Sequence, residues 1–335
     1  MTEWLAALIA PALVAWAVIA MLLRTPGSAR LADHPNERSL HAVPTPRVGG
    51  IAILVATLPF AFLHSTRPFA LTLACALGLA LVSLADDLRS LPIFIRLGAH
   101  ASAASVWVVA MGGGAIAGDL GSLLGAVVAV VLVAAIVWST NVFNFMDGAD
   151  GLAGGMAVAG FGTYAIAAAW GGHSGLALVS VVLASGSAGF VAHNFPPARA
   201  FLGDAGSIPL GFLAAALGLH GVASGAWTAA FPLLVFSPFA VDATATLLRR
   251  IAHREPFWRA HRDHYYQRLA LSGWPRRRLA AAAWALMGAC AASALVLQVS
   301  GLMLQCGIIF GWAVAYALIL LAIHRATKIM ANPAQ

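Results

Sequence analysis

Residues 121–170 read GSLLGAVVAVVLVAAIVWSTNVFNFMDGADGLAGGMAVAGFGTYAIAAAW, and they contain two long apolar runs around one short polar segment. Each run approaches the roughly 20 residues that an α-helix needs to cross a hydrocarbon layer. Neither run contains a charged residue. The stretch therefore predicts two membrane-spanning helices joined by a polar segment at the membrane surface.

The whole chain repeats this pattern. Of its 335 residues, 61% are hydrophobic and 9% are charged, whereas a soluble domain has roughly 25% charged residues. This composition excludes a soluble or disordered chain, and the strand-like alternation of a β-barrel is absent. We predict an all-α polytopic membrane protein forming a single transmembrane domain over residues 1–335. Its eleven apolar runs are residues 4–23, 48–64, 68–85, 97–111, 121–141, 152–170, 175–193, 206–220, 226–246, 279–299 and 302–323.

The basic residues are distributed unevenly over this topology. With the N-terminus outside and the C-terminus in the cytoplasm, 18 of the 19 Lys and Arg residues fall on the cytoplasmic side. Positive charge favours the cytoplasmic side of a membrane, so we expect this orientation. We expect the chain in the inner membrane, with its active site facing the cytoplasm. The sequence pI of about 10.2 then reflects topology and anionic lipid, and it gives no support for nucleic-acid binding.

Five cytoplasmic segments contain nearly all side chains capable of chemistry, namely residues 24–47, 86–96, 142–151, 194–205 and 247–278. The first has Arg38, His41 and Arg47 in a proline-rich context, and the last has Arg262 and His264 among many arginines. Both segments suit anion binding. The alternative is that they only anchor the chain at the inner face.

Asp86 and Asp87 stand where the third apolar run ends. Adjacent carboxylates repel each other and favour a cation or a proton. Helical neighbours point about 100° apart, so the two need not share one ligand. A solvated helix end is the alternative.

The segment N141-VFNFMDGADGLAGG-155 has Asn141, Asn144, Asp147 and Asp150 at every third position, with no Arg or Lys. Polar residues of this kind at a membrane boundary favour a ligand or a metal.

In F201-LGDAGSIPLG-211, Asp204 stands beside glycines at the start of an apolar run. A carboxylate with flanking glycines suits Mg²⁺, which prefers oxygen ligands. Capping of the following helix by Asp204 or Ser207 is the alternative.

Carboxylates for a cation and Arg or His for anions are the combination that phosphoryl transfer needs. The surrounding bilayer indicates a lipid substrate.

These motifs, in this order over about residues 30–270, resemble the polyprenyl-phosphate N-acetylhexosamine-1-phosphate transferases, which form glycosyltransferase family 4. FNFMDGADG and HYYQRL are most similar to the O-antigen-initiating branch, which uses UDP-N-acetylfucosamine, -quinovosamine or -glucosamine type donors. The resemblance implies that a polyprenyl phosphate, such as undecaprenyl phosphate, attacks a UDP-N-acetylamino sugar and that UMP leaves. The product would start O-antigen, lipopolysaccharide or cell-wall synthesis.

The resemblance also implies a cofactor, an assembly and residue roles. Magnesium is the expected ion, with manganese as its substitute, and a homodimer is the expected assembly. The metal would be bound by Asp204 and Asn144. The catalytic residues would be Asp86, Asp87, Asp147 and His264. Substrates would be bound by Arg38, His41, Arg47, Asn144, Asp150, Phe201 and Arg262.

One departure from the family pattern concerns the last segment. Many relatives carry HxHH where this chain has His264-Tyr265-Tyr266-Gln267, so the roles of the later histidines do not carry over.

Two other functions remain open. A transporter for an anionic metabolite would have its charged sites near the bilayer midplane. A CDP-alcohol phosphotransferase would show Arg after DG and two more spaced Asp, which this segment lacks.

Overall fold

A computed structural model describes residues 2–35, 40, 43–64, 66–112, 122–256 and 261–331, without the side chains of residues 29 and 328–331. Arg38 and His41 lie outside this part of the chain, so their predicted roles stay predictions. The helices are α1 Thr2–Leu22, α2 Gly49–Leu63, α3 Arg67–Arg89, α4 Ile93–Trp107, α5 Leu123–Phe145, α6 Leu152–Trp170, α7 Ser174–Asn194, α8 Asp204–Ala223, α9 Ala230–Val235, α10 Ser237–Ala252, α11 Tyr265–Leu271, α12 Arg276–Gln298 and α13 Leu302–Ala331.

The strands of the described chain form one short antiparallel pair, β1 Ala32–Asp33 and β2 Thr45–Pro46. A 3₁₀ turn, Pro26–Leu31, precedes β1. The remaining regular structure is almost all helical, which confirms the predicted all-α fold.

Nine helices of the described residues are long and apolar enough to cross a membrane, if α4 is counted with the π-helical turn that continues it to Met111. The helix α2 is apolar but shorter. Every predicted apolar run contains a helix. The run 226–246, however, is divided at Phe236 into α9 and α10. Pro238 lies in the first turn of α10, and proline has no N–H to donate to the carbonyl four residues earlier, so one continuous helix is disfavoured here. The protein is a multi-pass membrane protein, and the count of eleven spans stays a prediction.

The centre of the bundle is formed by α6, α7 and α8, whose residues are mostly buried. The helices α1, α5 and α13 present apolar side chains such as Leu13, Val130 and Phe310 outward. Small residues at helix contacts allow close packing in lipid, and Gly189 of α7 touches the backbone of Ala12 in α1.

The helix ends place the polar segments together. Residues at the carboxyl ends of α5 and α7 and at the amino ends of α8 and α12 line a common cavity at one end of the bundle. Segments that are far apart in sequence therefore contribute to one site.

Candidate active site

A cavity of about 410 Å³ opens at this end of the bundle. Six of the residues singled out from the sequence lie in its wall, namely Arg47, Asn144, Asp147, Asp150, Phe201 and Asp204. They come from three separate polar segments. The convergence places carboxylates, an amide and a guanidinium around one space.

Arg47 follows β2 and is held by two carboxylates. Its Nη2 lies 2.6 Å from Oδ1 of Asp33, and its Nη1 lies 3.2 Å from Oδ1 of Asp87. Burial alone would lower the pKa of Arg47, but Asp33, Asp87 and Asp204 raise it above its ordinary value. The guanidinium is therefore a fixed positive charge in the cavity wall.

Backbone hydrogen bonds join the segment that carries Arg47 to the segment that carries Asp204. Phe201 N donates to Pro46 O, and Gly50 N donates to Leu202 O, both at 2.8 Å. Gly50 and Gly206 are in direct backbone contact, with no space for a side chain at either position. The amino ends of α2 and α8 therefore cross closely, which brings Arg47 beside Asp204.

Asp204 is the first residue of α8. Gly203 occupies the N-cap position with a φ of 74°, a left-handed conformation that favours glycine, and no side chain caps the helix. The alternative of capping by Asp204 or Ser207 is therefore wrong. Asn144 Nδ2, from the last turn of α5, donates to Asp204 Oδ1 at 2.8 Å and to Ser207 Oγ at 3.0 Å. The negative charge of Asp204 at a helix amino end is also favourable.

Asp147 lies in the segment between α5 and α6. Burial, and then the charge of Asp204, raise its pKa well above the ordinary value, with Arg47 and the Gly203 amide acting in the opposite direction. A further contribution comes from the nearby charge of Asp87. Three carboxylates thus share one region in which Arg47 is the close arginine of the described residues, and such a group attracts a cation.

Asp86 and Asp87 face in different directions. Asp86 accepts a hydrogen bond from Leu91 N at 2.6 Å and pairs with Arg96 at 2.7 Å. It therefore stabilises the turn between α3 and α4. Asp87 instead faces Arg47 and the amino end of α8, where Ala205 N lies 3.4 Å from its Oδ2. The predicted catalytic roles of both residues stay predictions.

The structure places His264 and Arg262 outside the cavity wall. His264 is buried at the start of α11, and its Nδ1 lies 3.3 Å from Oδ1 of Asp242. Arg262 is half-buried, and it has no hydrogen bond or ion pair within the described chain. The predicted roles of His264 and Arg262 stay predictions.

The cavity wall contains another cation, Arg276. The Arg276 guanidinium lies 3.5 Å from Asp150 and donates to Leu40 O at 3.0 Å.

Several cavity residues were missed in the sequence. Asn194 ends α7, accepts a hydrogen bond from Gly151 N at 2.8 Å and donates to Ala200 O at 2.9 Å. Gln267 and Trp274 enter from α11 and the turn after it. Arg276 belongs to a run of three arginines that looked like a membrane anchor. Of these residues, only Asn194 could have been predicted as a site residue, because it is a polar residue at the end of an apolar run.

The donor set fits a magnesium ion. The carboxylates of Asp87, Asp147 and Asp204 and the amide of Asn144 provide oxygen atoms, which this ion prefers. Among the described residues, no three His, Cys, Asp or Glu side chains form a ready chelate. The arrangement therefore fits an ion held by one or two protein oxygens together with substrate phosphates.

An apolar groove of about 460 Å³ adjoins the polar cavity. Trp274 and Leu279 line both spaces. The groove continues between α10, α12 and α13 along Phe239, Leu286 and Ile319. A charged space and an apolar space thus meet at one junction.

Comparison with known proteins identifies the family of the chain. Residues 69–222 match the model of glycosyl transferase family 4. A probable undecaprenyl-phosphate N-acetylglucosaminyl 1-phosphate transferase of Bacillus subtilis is 28% identical, over 88% of this chain and 86% of that protein. A decaprenyl-phosphate N-acetylglucosaminephosphotransferase of Mycolicibacterium smegmatis is 31% identical, over 73% and 70%. An undecaprenyl-phosphate alpha-N-acetylglucosaminyl 1-phosphate transferase of Yersinia pestis is 30% identical, over 77% and 76%.

The match to the family model includes Asp87, Asn144, Asp147 and Asp204, so it contains the acidic part of the site. The order of motifs, the all-α membrane fold and these relatives agree with one another. The chain therefore belongs to glycosyl transferase family 4, in the superfamily of polyprenyl-phosphate N-acetylhexosamine-1-phosphate transferases.

Proposed function

We propose that the protein transfers an N-acetylamino-sugar 1-phosphate from a UDP-sugar to a polyprenyl phosphate and releases UMP. The reaction would take place at the cytoplasmic face of the inner membrane, as the first membrane step of cell-surface polysaccharide synthesis. The observation that carries this proposal is the junction of a carboxylate- and arginine-lined cavity with an apolar groove. Such a junction suits a substrate with a charged head and a long hydrocarbon chain.

The acceptor would bind across the junction. Its isoprenoid chain would lie in the groove, where burial of apolar surface is favourable. Its phosphate would then reach the polar cavity beside Trp274 and Leu279, near the guanidinium of Arg276. The groove thus orients the attacking phosphate toward the donor.

Arg47 and Arg276, which line the described wall, would bind the phosphates. Asp33 and Asp87 hold Arg47 from two sides, so little side-chain freedom is lost when a phosphate binds. Asp150 and Leu40 O hold Arg276 in the same way. Magnesium, bound by Asp204 and Asn144, would supply neutralisation of the donor's phosphate charge.

In the transfer, an oxygen of the polyprenyl phosphate attacks the sugar-bearing phosphorus of the donor. The bond between that phosphorus and the oxygen bridging to UMP breaks, and UMP leaves with the electron pair. One phosphoanhydride replaces another, so the reaction should be readily reversible. The residues of the chain act mainly by positioning the two phosphates, which is the main requirement for phosphoryl transfer.

The test is donor profiling with purified protein, undecaprenyl phosphate and Mg²⁺. UDP-N-acetylglucosamine comes first because the relatives are named for N-acetylglucosamine. UDP-N-acetylfucosamine and -quinovosamine follow because of the HYYQRL motif. We expect UMP release with one of these donors, and a loss of two or more orders of magnitude in Asp204→Asn or after EDTA.

CDP-diacylglycerol serves as the control donor for the other enzyme class. Turnover with CDP-diacylglycerol alone, or no UMP from any UDP-sugar, would contradict the proposal. Full activity after EDTA treatment would contradict the magnesium assignment.

A further inference from the structure

The short helix α11 separates the polar cavity from the apolar groove. Gln267 and Ala270 of this helix line the cavity, whereas Tyr266 and Leu269 line the groove. A displacement of α11 would therefore alter both spaces.

Asp242 of α10 holds the start of α11. Its Oδ1 accepts a hydrogen bond from Tyr265 N at 2.9 Å, and its Oδ2 accepts one from Tyr266 N at 3.0 Å. The first amides of a helix have no partner within the helix, so this carboxylate satisfies them. His264 N also donates to Gln267 Oε1 at 3.3 Å, which closes a capping box. The backbone of α11 is thus fixed to α10.

The Tyr266 side chain connects this fixed helix to the acidic segment of the site. Its hydroxyl donates to Phe145 O, the last residue of α5, at 3.1 Å. The last carbonyls of a helix also lack partners within it. The amide of Gly148 and the side chain of Gln267 face the same hydroxyl oxygen. Burial raises the pKa of Tyr266 well above its ordinary value, so the phenol stays a hydrogen-bond donor.

We propose that Tyr266 is a positioning residue whose hydroxyl fixes the segment 146–151, and thereby the carboxylates of Asp147 and Asp150, against the cavity. Asp242 acts through Tyr266 by holding α11. The predicted change in turnover rests on the proposed function. The predicted change in hydrogen exchange of the segment 146–151 does not.

The first test measures amide hydrogen exchange of the full-length protein in detergent. Tyr266→Phe removes only the hydroxyl, and we expect exchange across residues 146–151 to become about tenfold faster. The matched control is Tyr164→Phe, because the buried Tyr164 hydroxyl donates to Ala214 O at the same 3.1 Å, away from the cavity. The control should leave exchange in the segment unchanged. Unchanged exchange in Tyr266→Phe, or equal acceleration in Tyr164→Phe, would overturn the proposal.

The second test is steady-state kinetics. Misplaced carboxylates should lower kcat about tenfold, with a smaller effect on the donor KM, because Arg47 keeps both of its carboxylate partners, Asp33 and Asp87. Asp242→Asn should act in the same direction, since an amide NH₂ cannot accept a hydrogen bond from a backbone N–H. A raised KM with normal kcat would overturn the positioning role. If the wild-type protein releases no UMP, the proposed function fails while the exchange experiment still decides the positioning role.

Discussion

The contact between Gly50 and Gly206 should be the packing feature on which the site depends most. We predict that Gly206→Ala destabilises the protein and lowers its activity. A Cβ at position 206 would lie 2.6 Å from Gly50 Cα and 2.5 Å from Leu202 Cδ1. Leu202 has a flexible side chain that could move, but the backbone of Gly50 has no such freedom. The two helices must therefore separate.

The size of the effect follows from two contributions. Overpacking of a well-packed contact costs about 1–3 kcal/mol of the free energy of unfolding. Separation of α2 and α8 also lengthens the hydrogen bond from Gly50 N to Leu202 O, which is 2.8 Å long. Such a hydrogen bond contributes about 1 kcal/mol net to the free energy of unfolding. A total of about 2–4 kcal/mol would lower Tm by roughly 3–6 °C in a chain of this size. Activity should fall too, because the same movement takes Arg47 away from Asp204.

The assay is a thermal melt in matched detergent, followed by transferase activity well below Tm. Gly162→Ala is the matched control, since Gly162 lies within α6 and a Cβ there meets no atom within 4 Å. Alanine is the better helix former by about 1 kcal/mol, so the control should be neutral or slightly stabilising. Wild-type Tm and activity in Gly206→Ala would show that α2 and α8 need not approach this closely.

Two further predictions concern the cations and the topology. Arg276→Lys should raise the KM for polyprenyl phosphate about tenfold, because lysine lacks the bidentate geometry of arginine. Arg262→Lys should raise this KM less, since Arg262 lies outside the described wall. An equal or larger effect of Arg262→Lys in steady-state kinetics would contradict the assignment of Arg276 as the principal phosphate contact. Cysteines introduced into segment 247–278 should be labelled from outside only after the cells are opened, because that segment is rich in arginine. Labelling in intact cells would reverse the proposed orientation.

Much of the fold was predictable because lipid imposes a simple rule on the sequence. A helix that faces lipid must be long and apolar, and this composition is visible without any partner. The division at Phe236 was not visible in hydropathy, because the mostly apolar stretch FPLLVFSPFAV, residues 231–241, continues from α9 into α10. Pro238 was the available signal, and its effect depends on where the helix begins.

The acidic part of the site was also predictable, for a related reason. Asn144, Asp147 and Asp204 stand out in a chain with so few polar residues, and the structure brings all three to one cavity. Arg276 and Asn194 were missed because their contacts come from distant segments, as with Gly151 N and Asn194 Oδ1. Before the fold is known, an arginine at a helix end cannot be distinguished from an anchor. The different directions of Asp86 and Asp87 did follow from helix geometry alone.

In the proposed reaction, the sugar and its attached phosphate move together to the lipid. The most direct measurement uses a UDP-sugar labelled with ¹⁴C in the sugar and ³²P in the sugar-bearing phosphate, incubated with the purified protein, undecaprenyl phosphate and Mg²⁺. Our account predicts that both labels enter the lipid product in a one-to-one ratio and that UMP is the released nucleotide. Release of UDP with only ¹⁴C in the lipid, or no labelled lipid with any donor of the panel, would contradict it.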